Sequence, residues 1–271
     1  MIIDFHAHCF PDGVAAHALD AMYTAALKYP QTDFLRVQYD GTLSGLQKMT
    51  HEGGADYFVQ MSVATSPRHQ YNVNQFALQI NALPDAFAFG SVHGAASDSL
   101  EELERLHEAG IKGIKLHHDE QGIDMDDKRL YPVYDLISDL GLPCMIHPGF
   151  DPFSPDRSHA TPAQIMKIHA AFPKLRLILA HLGGFMDWDG GEELAGQGMM
   201  MDTSLVSVRL APERAARIIR KNGAENVLLG SDMPWSTIAQ AMQYLDSLDL
   251  TDREKEMIAG ENAARVLGIV D

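Results

Sequence analysis

The residues of this chain with the clearest chemical potential are His6 and His8, set in the run Asp4-Phe5-His6-Ala7-His8. In an extended strand, side chains alternate faces, so histidines two positions apart present their imidazoles on the same side. Such a pair can grip one metal ion. It gains weight from partners: His147, His181 and Asp232 each end a later apolar run. Imidazole nitrogen and carboxylate oxygen suit zinc, with manganese, iron and nickel as compatible ions. Three or four protein donors with one open position mark a catalytic site. An ion there lowers the pKa of bound water to about 7 and polarises a substrate carbonyl. A nearby carboxylate can then take the water's proton, and a histidine can stabilise or protonate the departing group.

Eight runs rich in apolar and β-branched residues read as strands: 2–8, 55–64, 86–93, 111–117, 142–147, 175–181, 199–204 and 226–232. Helical patterns alternate with them. The stretch 99–108 has Ser99 as its expected N-cap and Glu101 and Glu102 in its first turn. The stretch 131–140 stops at Gly141, and Thr161-Pro162 and Ala211-Pro212 open further helices. Thr251 caps the last, with Glu254 at the capping-box position. This alternation predicts an α/β fold, a single (β/α)8 TIM barrel forming one domain over residues 1–271. No Gly-x-Gly-x-x-Gly follows the first strand, so the dinucleotide-binding signature is missing. Residues 9–40 exceed an ordinary strand-to-helix loop and carry a helical stretch near 14–27. They predict an insertion after the first strand, lying over the barrel mouth as a lid or dimer arm.

In such a barrel the C-terminal strand ends converge on the face where active sites form. The polar residues there are His6 and His8 on the first strand, His93 on the third and Lys115 and His117 on the fourth. His147, His181 and Asp232 follow on the fifth, sixth and eighth. Strict alternation predicts shared inward faces for Pro143, Met145 and His147, for Leu177, Leu179 and His181, and for Leu228, Gly230 and Asp232. Asp4 falls on the predicted face of His6, one layer deeper, where it would orient a ligand imidazole.

The net charge of -16 argues against phosphate-backbone binding and, more weakly, against an anionic membrane surface. Two cysteines, Cys9 and Cys144, make no disulfide framework and read as packing residues. The charged Asp4 and His6 speak against a signal peptide, and no apolar run reaches membrane-spanning length. The expectation is a soluble cytoplasmic protein acting on a small molecule, with no nucleic-acid or membrane partner and a homodimer as the candidate assembly.

Five segments together resemble the amidohydrolase superfamily. They are Asp4-Phe5-His6-Ala7-His8, Gly113-Ile114-Lys115-Leu116-His117, Met145-Ile146-His147-Pro148-Gly149, Leu179-Ala180-His181-Leu182-Gly183-Gly184 and Leu229-Gly230-Ser231-Asp232-Met233-Pro234-Trp235. More narrowly they resemble its amidohydrolase 2 branch, which also holds aminocarboxymuconate-semialdehyde decarboxylase-like enzymes. The likeness runs from Ile2 to Gly268. It implies that His6, His8, His147 and Asp232 bind one divalent metal while His181 acts beside it. In members with two metals, His181 would ligate the second ion. Some members carry a carbamylated lysine near the position of Lys115; the expectation here is one ion and a Lys115 paired with an acid or a substrate carboxylate. In the decarboxylase-like members a histidine near the place of His117, one step nearer the mouth, contacts substrate, and the resemblance implies the same for His117.

Arg68, His93 and Trp235 are the remaining substrate-binding candidates, with Arg157 and His159 in the loop after the fifth strand ranked beside them. His17, His51, His107 and His169 fall on helical stretches and are expected to face solvent. Met199–Met201 reads as core packing rather than a ligand box. The expected reaction is hydrolysis of an amide, lactone or ester by metal-activated water. The alternative is non-oxidative decarboxylation of a small unsaturated or aromatic acid.

Overall fold

A computed structural model describes residues 1–152 and 154–269. The chain opens with β1 (Ile3–Ala7), followed by α1 (Asp12–Ala26), α2 (Leu43–Glu52), β2 (Tyr57–Met61), α3 (Gln70–Asn81), β3 (Ala86–Phe89) and α4 (Ser99–Glu108). It continues through β4 (Ile114–Leu116), α5 (His118–Gln121), α6 (Tyr131–Asp139), β5 (Pro143–Ile146), α7 (Pro162–Ala171), β6 (Arg176–Leu179) and α8 (Trp188–Leu194). Last come β7 (Met200–Asp202), α9 (Pro212–Asn222), β8 (Val227–Leu228), α10 (Ile238–Ser247), α11 (Asp252–Glu256) and α12 (Asn262–Leu267).

Strands β1–β3 and β4–β8 form two parallel sets in sequence order. Single parallel bridges, Gly90 to Ile114 and Ala7 to Met233, join the sets on both sides. The Phe5 amide also donates to the Leu229 carbonyl at 2.8 Å. The eight strands therefore close into the expected (β/α)8 barrel. Each strand is shorter than its apolar run, because the run continues into the loop that carries the functional residue.

Two apolar layers hold the ring. Phe5, Val59, Met61, Phe89, Met145, Ile178 and Leu228 fill the interior, and Ala263, Val266 and Leu267 of α12 plug its base. Leu46, Ala77, Leu103, Ile137, Ile165, Ala216 and Ile219 pack the surrounding helices onto the outward strand faces. Thr161 and Thr251 form capping boxes with Gln164 and Glu254, and Gly141 turns the chain at φ +66°. At α4, Asp98 rather than Ser99 occupies the N-cap, so Ser99 is the first helical residue.

Simple alternation fails at two strands. On β1, Asp4 pairs with Phe58 and Ala7 with Gln60, so three steps on β1 match two on β2. This register slip brings Phe5 and His6 to the interior in succession and leaves Asp4 on the outward face beside Phe58. Asp4 accordingly orients no imidazole; it accepts hydrogen bonds from the Ser231 amide at 2.9 Å and the Ser231 hydroxyl at 2.5 Å. On β6, Ile178 and Ala180 face inward while Leu177 and Leu179 face the helices. His181 reaches the interior only through a left-handed backbone at φ +58°.

The insertion after β1 is present. Its helix α1 lays Val14, Ala18, Ala21 and Met22 against the cavity above the barrel. Leu35 packs with Phe185, Leu205 and Trp235, clasping the insertion to the loops at the C-terminal strand ends. No helix among the described residues is long and apolar enough to cross a membrane.

Candidate active site

His6 and His8 lie at the base of the cavity with their Nδ1 atoms already committed. His6 Nδ1 donates to Asp202 Oδ2 at 2.7 Å, and His8 Nδ1 donates to the Met61 carbonyl at 3.0 Å. A carboxylate and a carbonyl can only accept, so both imidazoles, when neutral, carry their lone pair on Nε2. Those two Nε2 atoms are 3.2 Å apart, and Asp232 Oδ1 lies 3.5 Å from the first and 3.2 Å from the second. Three acceptor atoms thus converge on one point without a proton between them. That arrangement fits a divalent cation, and the three donor atoms lie within 4.8 Å of one another.

The local electrostatics agree. Burial, with Lys115 nearby, lowers His6 to about 4, so it is neutral near pH 7. Burial would raise the Asp232 carboxyl, but the facing His8, His6 and His181 override it and hold that group below the usual carboxylate range. Gly230 makes the convergence possible: a Cβ there would stand 2.9 Å from His6 Cβ and 3.0 Å from Ser204 Cβ. Asp232 itself sits at φ +62°. Left-handed backbone at a non-glycine residue costs about 1–3 kcal/mol and clusters at functional sites.

His181 stands beside this group. Its Nδ1 donates to the Ser204 carbonyl at 2.8 Å, and its Nε2 lies 3.0 Å from His147 Nδ1. His147 Nε2 is 3.3 Å from the Phe150 carbonyl. The row from Ser204 through His181 and His147 to Phe150 ends on a carbonyl at each side. Two neutral imidazoles carry one proton too few to satisfy it. A cation on His147 Nε2 would remove the shortfall, which fits the expected ligand role. In the geometry itself, however, His147 groups with His117 and Asp151, not with His6, His8 and Asp232.

Lys115 and His117 rise from the end of β4. Lys115 is fully buried, and burial lowers its pKa against the opposing pull of Asp202 and Asp232. The His117 ring stacks on His147 with centroids 4.3 Å apart, and its Nε2 lies 3.5 Å from Asp151 Oδ2. These residues line a cavity of about 880 Å³, roofed by α1 and walled by Phe150, Phe185 and Trp235.

The structure thus brings His6, His8, Lys115, His117, His147, His181, Asp232 and Trp235 to one cavity. Four other candidates are not among the residues that line it. Arg68 is exposed in a short turn outside the cavity lining, although its neighbours Thr65 and His69 reach the cavity. His93 is buried, its amide donating to Gln70 Oε1 and its Nδ1 accepting from the Ala95 amide, and it is not among the lining residues. Arg157 and His159 both pair with Asp124 instead of facing the mouth. Among the helical histidines, exposed His17 lies on the cavity side of α1, while His169 is half-buried.

Sequence reading missed Asp202, Ser204, Asp119, Glu120 and Asp151. Asp202 accepts from the His181 amide, the Ser204 amide and the Ser204 hydroxyl through Oδ1, and from His6 through Oδ2. Its signal was available: it is the one charged residue within the seventh run, two positions after Met200. The acids at 119, 120 and 151 gave no such signal, because they follow the strands in loops and a short helix.

The amidohydrolase family model matches residues 3–269. The chain belongs to the amidohydrolase family. Among curated relatives, a 2-keto-4-carboxy-3-hexenedioate hydratase from Sphingobium sp. is 25% identical over 73% of this chain and 70% of its own length. A 2-amino-3-carboxymuconate-6-semialdehyde decarboxylase from Dictyostelium discoideum is 24% identical over 74% of this chain and 66% of its own length. The chain thus spans about two-thirds of the length of these curated relatives. Among solved structures, a mutant 5-carboxyvanillate decarboxylase from Novosphingobium aromaticivorans with bound manganese superposes with a TM-score of 0.73. It is 16% identical, with 99% of this chain and 97% of that chain covered.

Proposed function

We propose that this amidohydrolase-family protein is a metal-dependent carbon–carbon lyase, a non-oxidative decarboxylase of a small unsaturated or aromatic carboxylic acid. The observation that carries the reading is the convergence of His6 Nε2, His8 Nε2 and Asp232 Oδ1 beside a hydrogen-bonded His181. The decarboxylase and hydratase activities of the curated relatives support a lyase over the hydrolysis expected from the motifs alone. The hydratase makes addition of water across a carbon–carbon double bond the second reading.

A divalent ion held by His6, His8 and Asp232, with His147 in reach, would bind an anionic substrate oxygen and withdraw electron density from the bond to be broken. Zinc and manganese both suit these donors. Lys115 lines the same cavity, where burial lowers its pKa against the opposing pull of Asp202 and Asp232. As carbon dioxide departs, the electron pair of the broken bond stays on the substrate carbon, and a proton must reach that carbon. His181 supplies it in this reading. Its Nδ1 hydrogen is tied to the Ser204 carbonyl, so Nε2 is the atom that takes up and delivers a proton. The apolar face of α1 keeps bulk water from competing for the carbanion. The compartment we propose is the cytoplasm, in keeping with two free buried cysteines.

The test is a screen of small unsaturated and aromatic acids on zinc- and manganese-loaded protein, with carbon dioxide as readout. Turnover of lactones, amides or esters without carbon dioxide release from any acid would restore the hydrolase reading.

A further inference from the structure

Charge is unevenly shared among the elements that line the cavity. Its Asp, Glu and Lys residues all come from β4, from α5 and from the loops after β5 and β8. The segments that follow β1 and β2 add no Asp, Glu, Lys or Arg to the lining among the described residues. They contribute the imidazoles of His17 and His69 and a largely apolar surface. Helix α1 buries Ala15, Leu19 and Ala26 within the protein and turns Val14, Ala18 and Met22 to the cavity. The spacing i, i+4, i+8 puts these three on one helical face beside the buried one. Val14 is 50% exposed, so the protein itself leaves that face uncovered. On α3, Val73 and Phe76 stand one turn apart and line the same cavity.

The size of the cavity gives this face a use beyond shielding. A volume of about 880 Å³ lies near the top of the roughly 300–1,000 Å³ that accommodates a drug-sized ligand. A bare monocyclic acid, with its carboxylate toward His6, His8 and Asp232, would leave the faces of α1 and α3 in contact with water. Apolar surface in that position is stabilised when an apolar group covers it. The face is continuous with the pocket of the convergent metal donors, so the group that covers it is carried by the molecule bound there.

Resting on the reading of the cavity as a carboxylic-acid site, we propose that the substrate carries an apolar substituent of several carbons, alkyl or aryl, which lies on Val14, Ala18 and Met22 of α1 and Val73 and Phe76 of α3. A charged group at the far end of that substituent would lose hydration to a lining with no formal charge to replace it. The cavity therefore selects an acid with one polar head and an apolar tail.

The test is calorimetric binding to zinc-loaded protein of benzoate and of meta- and para-alkylbenzoates from methyl to hexyl. In the better series affinity is expected to rise about two- to fourfold per methylene. A carboxylate at the end of the same chain should remove the gain. Val14→Asn and Val73→Asn place an amide on the apolar face at an exposed and a half-buried position, and each should cut the gain summed over the series about threefold or more. Hexyl members binding within about twofold of benzoate, or a gain unchanged in both folded variants, would overturn the proposal. A flat series in a dimer that Val14→Asn dissociates would overturn it too, giving the face to a second copy of the chain. Benzoate binding that is as tight without zinc counts against the carboxylic-acid reading itself, whereas a flat series on zinc-dependent benzoate binding counts against the tail alone. An alkyl acid that binds as expected yet releases no carbon dioxide supports the tail site and counts against the decarboxylase reading.

Discussion

Asp202→Asn offers the sharpest perturbation of the metal-binding geometry, because its consequence follows from counting donors. Asp202 Oδ1 accepts three hydrogen bonds, from the His181 amide, the Ser204 amide and the Ser204 hydroxyl, whereas Oδ2 accepts one, from His6 Nδ1. An asparagine therefore keeps its oxygen at the three-donor position and turns its amide nitrogen toward His6. His6 Nδ1 must then accept, its proton moves to Nε2, and the lone pair that faces His8 and Asp232 is lost. Loss of such an orienting partner weakens metal affinity by about 10–100-fold, or roughly 1.4–2.8 kcal/mol. Competition titration against a chromophoric chelator reads the affinity, and circular dichroism confirms that the variant is folded. A folded Asp202→Asn protein that binds zinc within twofold of the parent chain would refute the assignment of tautomers and the site built on it.

Further outcomes follow from other parts of the structure. His181→Asn should lower kcat by about 10²–10⁴-fold while metal content by elemental analysis stays unchanged, since His181 acts beside the three convergent donors. Metal loss in that variant would make it a ligand instead. His118 is buried against the Tyr134 hydroxyl, and burial, with His159 and Lys115 nearby, lowers it to about 3. The unfolded chain takes a proton near pH 6.5 that the folded chain refuses. Stability should therefore fall by about 1.4 kcal/mol per pH unit below 6.5 until the folded value is reached, with no contribution above 6.5. Urea denaturation of His118→Gln at pH 7 and pH 5 should show that much less loss per unit; an equal loss contradicts the buried neutral state. Met22→Asp adds a negative charge to the apolar roof and should raise KM for an acid substrate about tenfold or more. An unchanged KM would mean that α1 does not cover the bound substrate.

The barrel was legible because apolar runs alternate with helical patterns eight times, and most of those runs end in a polar residue. His6, His8, His147, His181 and Asp232 could be found for the same reason. What strict alternation could not reveal was the backbone. The slip between Asp4 and Ala7 reversed the roles of Asp4 and Phe5, and the positive φ of His181 brings it to the expected interior although Leu177 and Leu179 face the helices. Both departures depend on tertiary contacts, with β2 in the first case and with Asp202 and Ser204 in the second. Arg68 and Arg157 looked like carboxylate anchors because loops after strands face the mouth; one instead turns to solvent and the other is captured by Asp124. The acids at 119, 120 and 151 were invisible, since no periodicity links a short helix to a loop thirty residues later.

The central claim is that the cavity breaks a carbon–carbon bond to a carboxylate and returns a proton to the vacated carbon. Turnover of a carboxyl-labelled acid found in the screen, run in deuterated water and followed by nuclear magnetic resonance, tests it most directly. The account predicts that all label leaves as carbon dioxide and bicarbonate and that the product carries one deuterium at the vacated carbon. Label retained in the product, with water added across a double bond or an acyl bond hydrolysed, would contradict it.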